Sequence, residues 1–132
     1  LIKLVKKKEI EDKVFFISFK KNIYSFMRKS DLLVMTSLWE EVGFVIVEAA
    51  LCNTFVISSD CPNGPREFLD DGKNGILFKS NVEDELFKSF KKFSIMEQKE
   101  IYHNKIRLKK NAQKYTIFHH YLRLNKILKI HE

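Results

Sequence analysis

Four short apolar runs punctuate the chain: Val14-Phe-Phe-Ile-Ser18, Leu32-Leu-Val-Met-Thr36, Thr54-Phe-Val-Ile-Ser58 and Gly75-Ile-Leu-Phe78. Each is apolar at successive positions, so each needs cover on both faces, as the strands of a parallel sheet do. Between them lie helix-length polar and amphipathic segments at about 1–10, 22–28 and 44–51, and a short one at 65–69. Strand and helix alternating with short connections predict an α/β fold, a Rossmann-like doubly wound parallel sheet. Ligands in such sheets bind beyond the carboxyl ends of the strands. Glu40 follows the strand ending at Thr36 and Asp60 the one ending at Ser58, which puts both on that edge.

After Phe78 the pattern turns helical. Asn81 or Ser80 is suited to cap a helix running to about Lys92, with Glu83, Asp84 and Glu85 in its first turn. A long helix is expected over 95–115. Thr116 could cap a last one in which Phe118, Tyr121, Leu122, Leu124, Ile127 and Leu128 keep helical spacing. The expected organisation is one partial domain, with a core of about residues 10–92 and C-terminal helices over 93–132. Asp71-Gly72 and Asn74-Gly75 read as turns.

Length and composition narrow the class. The 132 residues suit one domain and are short for an enzyme of two lobes. The chain opens on Leu1-Ile-Lys-Leu-Val-Lys-Lys-Lys8 without a start Met or an apolar signal core, and we read it as a portion of a longer protein. Nothing approaches the run of about 18 apolar residues that spans a membrane. Cys52 and Cys61 flank an apolar strand without metal-ligand spacing, which predicts buried free thiols in a reducing cytosol. The net charge of +7 is uneven: residues 88–132 hold 12 Lys or Arg against 3 Asp or Glu (+9), and residues 1–87 hold 12 against 14 (−2). That basic C-terminal face suits anionic lipid headgroups or nucleic acid, or is a solvated lysine-rich helix surface.

The candidate chemistry is concentrated in Ser37-Leu-Trp-Glu-Glu-Val-Gly-Phe-Val-Ile-Val-Glu-Ala-Ala-Leu51. Glu40 sits on a strand-to-helix loop, and Glu48 falls about one turn inside the helix that follows. Helical side chains lean toward the helix N-terminus, so Glu48 is expected to face the crevice that Glu40 enters, with Gly43 leaving the backbone bare between them. The helix start offers unpaired N–H groups and a positive dipole end. Carboxylates for hydroxyls beside amides for phosphates fit a nucleotide sugar. Val45, Ile46, Val47, Ala49, Ala50 and Leu51 predict a helix largely buried all round, in which a carboxylate without partners would be costly.

These blocks, followed by Phe55-Val-Ile-Ser-Ser-Asp60, Cys61-Pro-Asn-Gly-Pro-Arg-Glu67 and Asp71-Gly-Lys-Asn-Gly-Ile-Leu-Phe78, resemble the donor-binding half of family 4 retaining glycosyltransferases, nearest to the bacterial surface-polysaccharide members. The resemblance is continuous from about Ile10 to Phe78. It implies the C-terminal half of a GT-B fold, with the acceptor lobe and the first strand-loop unit elsewhere in the full protein. It also implies transfer of a hexose from a UDP- or GDP-linked donor to a saccharide or lipid-linked acceptor, in the cytoplasm or at the inner face of the membrane, with peripheral contact to anionic lipid and without metal or cofactor.

By that resemblance Glu40 rather than the adjacent Glu41 is the catalytic position. It would orient the donor sugar and stabilise oxocarbenium charge without forming a covalent bond, and a hydrolase-like pair of carboxylates is the competing assignment. Glu48 would bond the ribose hydroxyls. Gly43, Phe44 and Val45 would offer backbone N–H groups to the distal phosphate and sugar, although many members carry a glycine, or glycine and proline, around Phe44. Ser37 would touch a phosphate, with a helix cap or a loop hydroxyl as the other reading, and Phe19 and Lys20 would hold the base. Arg66-Glu67 reads equally as a salt-bridged corner or a site element. His103, His119, His120 and His131 are taken as surface or core residues. The alternative from another class is a non-catalytic basic α/β module binding nucleic acid or another polyanion. The transferase reading expects no nucleic acid.

Overall fold

The computed structural model describes residues 1–82 and 84–128. Three parallel strands, β1 (Leu32–Met35), β2 (Phe55–Ser59) and β3 (Ile76–Phe78), form one sheet in the order β1-β2-β3. Leu32 pairs with Phe55 in register, and Ile57 with Ile76. The helices are α1 (Ile2–Lys7), α2 (Tyr24–Lys29), α3 (Phe44–Leu51), α4 (Pro65–Phe68), α5 (Glu85–Ser94), α6 (Gln98–Ala112) and α7 (Ile117–Leu128), with a 3-10 turn at Gln113–Tyr115.

Side chains alternate across a strand, and the sheet therefore builds two cores. Leu33, Met35, Val56 and Leu77 join α2, α3, α4 and the C-terminal half of α6 in a cluster that includes Met27, Ile46, Val47, Ala50, Phe68 and Leu108. On the other face Leu32, Val34, Phe55, Ile57, Ile76 and Phe78 meet Ile101 of α6 together with Leu86, Phe93 and Met96. The sheet is covered on both sides, as a doubly wound fold requires. Phe55 stacks against Phe93 with ring centroids 5.0 Å apart. Burial of each such side chain contributes about 1.5–3 kcal/mol. Thr54, buried, donates from Oγ1 to the Met27 carbonyl at 2.6 Å and ties α2 to the start of β2. Cys52 and Cys61 are both buried free thiols.

Several expectations need correction. Residues 14–18 form no strand: β1 is the edge of the sheet, so this run has no ladder partner among the described residues, and Phe15, Phe16 and Ile17 stand exposed. Apolar composition without paired N–H and C=O groups does not make a strand. The helix after β3 is capped by neither Asn81 nor Ser80. Its N-cap is Asp84, because left-handed backbone at Asn81 (φ 56°) and Asp84 (φ 64°) postpones the first turn, and the buried Ser80 hydroxyl has no partner among the described residues. Glu83 lies outside the described residues; Glu85 does occupy the first turn. The stretch expected at 95–115 begins only at Gln98, after the extended Glu97, and ends in the 3-10 turn. Thr116 is extended immediately ahead of α7 and its carbonyl accepts from the His120 N–H at 3.0 Å, while its hydroxyl bonds back to the Gln113 carbonyl at 2.8 Å and lies 3.1 Å from His119 Nδ1. His103, His119 and His120 are exposed, while His131 lies outside the described residues.

Candidate functional site

The loop between β1 and α3 leaves the sheet at the carboxyl end of β1. It carries adjacent carboxylates in different settings: Glu41 is exposed, whereas Glu40 is half-buried and accepts a hydrogen bond from Ser37 Oγ at 2.6 Å. Ser37 is itself anchored, since Ser59 Oγ at the end of β2 donates to its carbonyl at 2.6 Å. The Ser37 hydroxyl therefore reaches a carboxylate inside its own loop.

Gly43 is the N-cap of α3 and adopts φ 67°, ψ 55°. Left-handed backbone of this kind disfavours a Cβ, which explains a glycine at this step. Among the described residues no side chain caps the helix, and the Ile46 N–H turns back to the Gly43 carbonyl at 2.9 Å. Helix geometry leaves the N–H groups of Phe44 and Val45 without intrahelical acceptors. The α3 start accordingly offers backbone donors in a positive dipole end.

The expectation that α3 is buried all round is corrected by its packing. Ile46, Val47, Ala49 and Ala50 face the core and α6, while Phe44, Val45 and Leu51 are exposed and Glu48 is half-buried on the same stripe. The helix covers only one face of the sheet, so its far side meets solvent. Glu48 is not sealed in apolar surroundings. Its Oε1 accepts a long hydrogen bond, 3.4 Å, from Tyr24 Oη on α2. Glu40 thus precedes the N-cap by three residues, and Glu48 follows it by about one turn.

Phe19 and Lys20 are both exposed on the strandless segment, and no hydrogen bond or ion pair among the described residues ties either to α3 or its loop. Arg66 resolves as a corner. Its Nε donates to Asp60 Oδ1 at 3.0 Å, a second guanidinium nitrogen pairs with the other Asp60 oxygen, and Asp71 stands 3.8 Å away. A cavity of about 490 Å³ lies between the α4 turn and α6, lined by residues that include Glu67, Arg107, Lys110, Tyr115 and Arg123. Neither Glu40 nor Glu48 lines it.

Tyr24, Ser59 and Gly64 were not singled out from sequence. Tyr24 lies 24 residues from Glu48, and no local pattern links them. Ser59 did leave a signal, since a hydroxyl ending a wholly buried strand must find a partner. Gly64 follows Asn63 in a turn dipeptide just ahead of Pro65.

Residues 1–115 match the family model for glycosyl transferases group 1. The chain belongs to this family. It is 30% identical over 91 residues to the N-acetylgalactosamine-N,N'-diacetylbacillosaminyl-diphospho-undecaprenol 4-alpha-N-acetylgalactosaminyltransferase of Campylobacter jejuni, covering 69% of this chain and 25% of that protein. It is 32% identical over 77–81 residues to further members, among them the amylovoran biosynthesis glycosyltransferase AmsD of Erwinia amylovora, which matches 61% of this chain and 23% of its own length. The crystal structure of Anabaena HepE in complex with UDP and glucose superposes with a TM-score of 0.83 at 25% identity, over 97% of this chain and 35% of that one. The group 1 domain described here therefore spans about a quarter to a third of the length of these relatives, and its architecture is that of the C-terminal half of a GT-B fold.

Proposed function

We propose that this domain holds the nucleotide-sugar donor of a retaining glycosyltransferase, which transfers a hexose to a saccharide or lipid-linked acceptor in surface-glycan synthesis. The observation that carries the reading is the bare α3 N-terminus, uncapped by any side chain and opened by a left-handed Gly43, with Glu40 before it and Glu48 after it. Family membership and the UDP and glucose bound by HepE support the donor class. The undecaprenol-linked name of the Campylobacter relative supports a lipid-linked acceptor at a membrane face.

In this mechanism the donor diphosphate lies at the α3 start, where the Phe44 and Val45 amides and the helix dipole offset its charge. Glu48, an acceptor-only carboxylate, takes hydrogen bonds from the ribose hydroxyls. Glu40 orients the sugar and stabilises positive charge as the anomeric carbon loses its phosphate. The acceptor hydroxyl attacks on the face the phosphate leaves, which retains configuration. A further lobe of the full-length protein supplies the acceptor. Ser37 serves the donor through Glu40, and the exposed Phe19 and Lys20 serve the base.

The test is a thermal-shift panel of UDP, GDP and their sugars on the full-length protein. Stabilisation by one nucleotide that disappears in Glu48→Ala is expected. Salt-sensitive binding to any polyanion, indifferent to Glu48→Ala and without nucleotide protection, would replace this reading with the basic-module alternative.

A further inference from the structure

The loop that carries Glu40 is gripped from two sides, by the end of β2 and by the segment that follows it. Ser59 is 1% exposed, and a buried hydroxyl is costly unless it is bonded. Its proton goes to the Ser37 carbonyl at 2.6 Å, and the Ser37 hydroxyl in turn donates to Glu40 Oε1 at 2.6 Å. This relay engages one carboxylate oxygen and leaves the other available to a ligand.

The second grip is steric. Gly64, at φ 78°, packs so tightly on the loop that an added Cβ would stand 2.6 Å from the Val42 carbonyl oxygen and 2.7 Å from that of Glu41. Both contacts are to backbone, which cannot rotate away as a side chain would. The turn that presents Gly64 is closed by the two-pronged Arg66–Asp60 pair.

We propose that Ser59 and Gly64 are positioning residues that set the direction of the Glu40 carboxylate, and that Ser37 belongs to the same device instead of binding phosphate. The inference rests on the reading of Glu40 as the sugar-orienting group. A loop residue has no helix backbone to fix it, so its aim depends on these contacts from a distant segment. An error of about 1 Å at such a group costs on the order of a hundredfold in rate.

The test uses the full-length transferase with Ser59→Ala, Ser37→Ala and Gly64→Ala, each alone and combined with Glu40→Ala. The single variants are expected to lose roughly ten- to a hundredfold in kcat while keeping the wild-type Kd for UDP. In the Glu40→Ala background their further loss is expected to vanish, because the group they act through is gone. A Ser37→Ala variant that loses UDP affinity, or losses that persist undiminished without Glu40, would overturn the proposal. Wild-type turnover in Glu40→Ala would instead sink the reading of Glu40, and the proposal with it. Should Ser59→Ala fail to fold, Ser37→Ala, outside the core, carries the same test.

Discussion

Glu40 and Glu48 are both half-buried carboxylates near one helix start, yet they are held by opposite means. Glu48 projects from α3, whose buried side is locked to the core, and its one side-chain hydrogen-bond partner among the described residues is Tyr24, at 3.4 Å. Glu40 projects from a loop and depends on a short bond from Ser37, itself held by Ser59 on a neighbouring strand. A helix positions a side chain through its own backbone; a loop must borrow rigidity from other segments. The borrowed, narrower geometry suits a group that must face a reacting carbon, and the helix-borne one suits a grip on hydroxyls.

The sharpest break in this comparison is charge removal at Glu40. Glu40→Gln keeps shape and hydrogen-bonding capacity but withdraws the negative charge, and kcat for sugar transfer by the full-length enzyme is expected to fall by about a hundred- to a thousandfold. Kd for UDP, measured by calorimetry, is expected to hold. Equal losses in kcat and UDP affinity would mean the two carboxylates share one role.

Glu48→Ala is expected to show the converse. Hydrogen bonds to a charged acceptor are worth about 1.5–3 kcal/mol, so UDP affinity should drop roughly ten- to a hundredfold. Single-turnover transfer at saturating donor should fall far less. An unchanged UDP Kd would remove Glu48 from the nucleotide site.

How much of this arrangement was legible in the sequence follows from the range of the interactions. Strands β1, β2 and β3 and helix α3 were readable because apolar runs and their spacing are local, and α3 matches the expected 44–51 to the residue. The Glu40-to-Glu48 spacing and Gly43 were legible for the same reason. Residues 14–18 misled because Phe15 and Phe16 look like Phe55 and Val56, yet only the latter have ladder partners among the described residues, Leu32 and Leu33 of β1. The Ser59 relay and the Gly64 contact were not legible, since each joins residues more than 20 positions apart. The exposed stripe on α3 was also hidden: Glu48 is its one polar residue, and the apolar residues around it carry no sign of which side the sheet covers.

Between the two carboxylates, Gly43 sets the backbone that separates them. An added Cβ meets nothing closer than 3.7 Å, at Ile46 and Met35, so the penalty of Gly43→Ala is conformational and not steric crowding. Left-handed backbone costs a residue with a Cβ about 1–2 kcal/mol, and the Tm is expected to fall by roughly 5 °C. Calorimetric unfolding with and without UDP measures it. A loss of UDP stabilisation beyond the apo shift would show that the bare backbone at residue 43 also meets the ligand.

Tyr24→Phe is the mildest probe and the one that separates a helix-held carboxylate from a contact-held one. The phenol bond is at the long limit of hydrogen-bond length and open to solvent, and such bonds contribute at most about 0.5–1 kcal/mol. If α3 alone aims Glu48, removing that hydroxyl should change UDP affinity by less than about threefold and leave kcat untouched. Ser37→Ala removes a bond of similar type from the other carboxylate, so a large loss in kcat there beside a small effect here would isolate the difference between loop and helix. A tenfold loss of UDP affinity in Tyr24→Phe would mean that Glu48 needs α2 as Glu40 needs β2, and the two carboxylates would then be held by one principle instead of two.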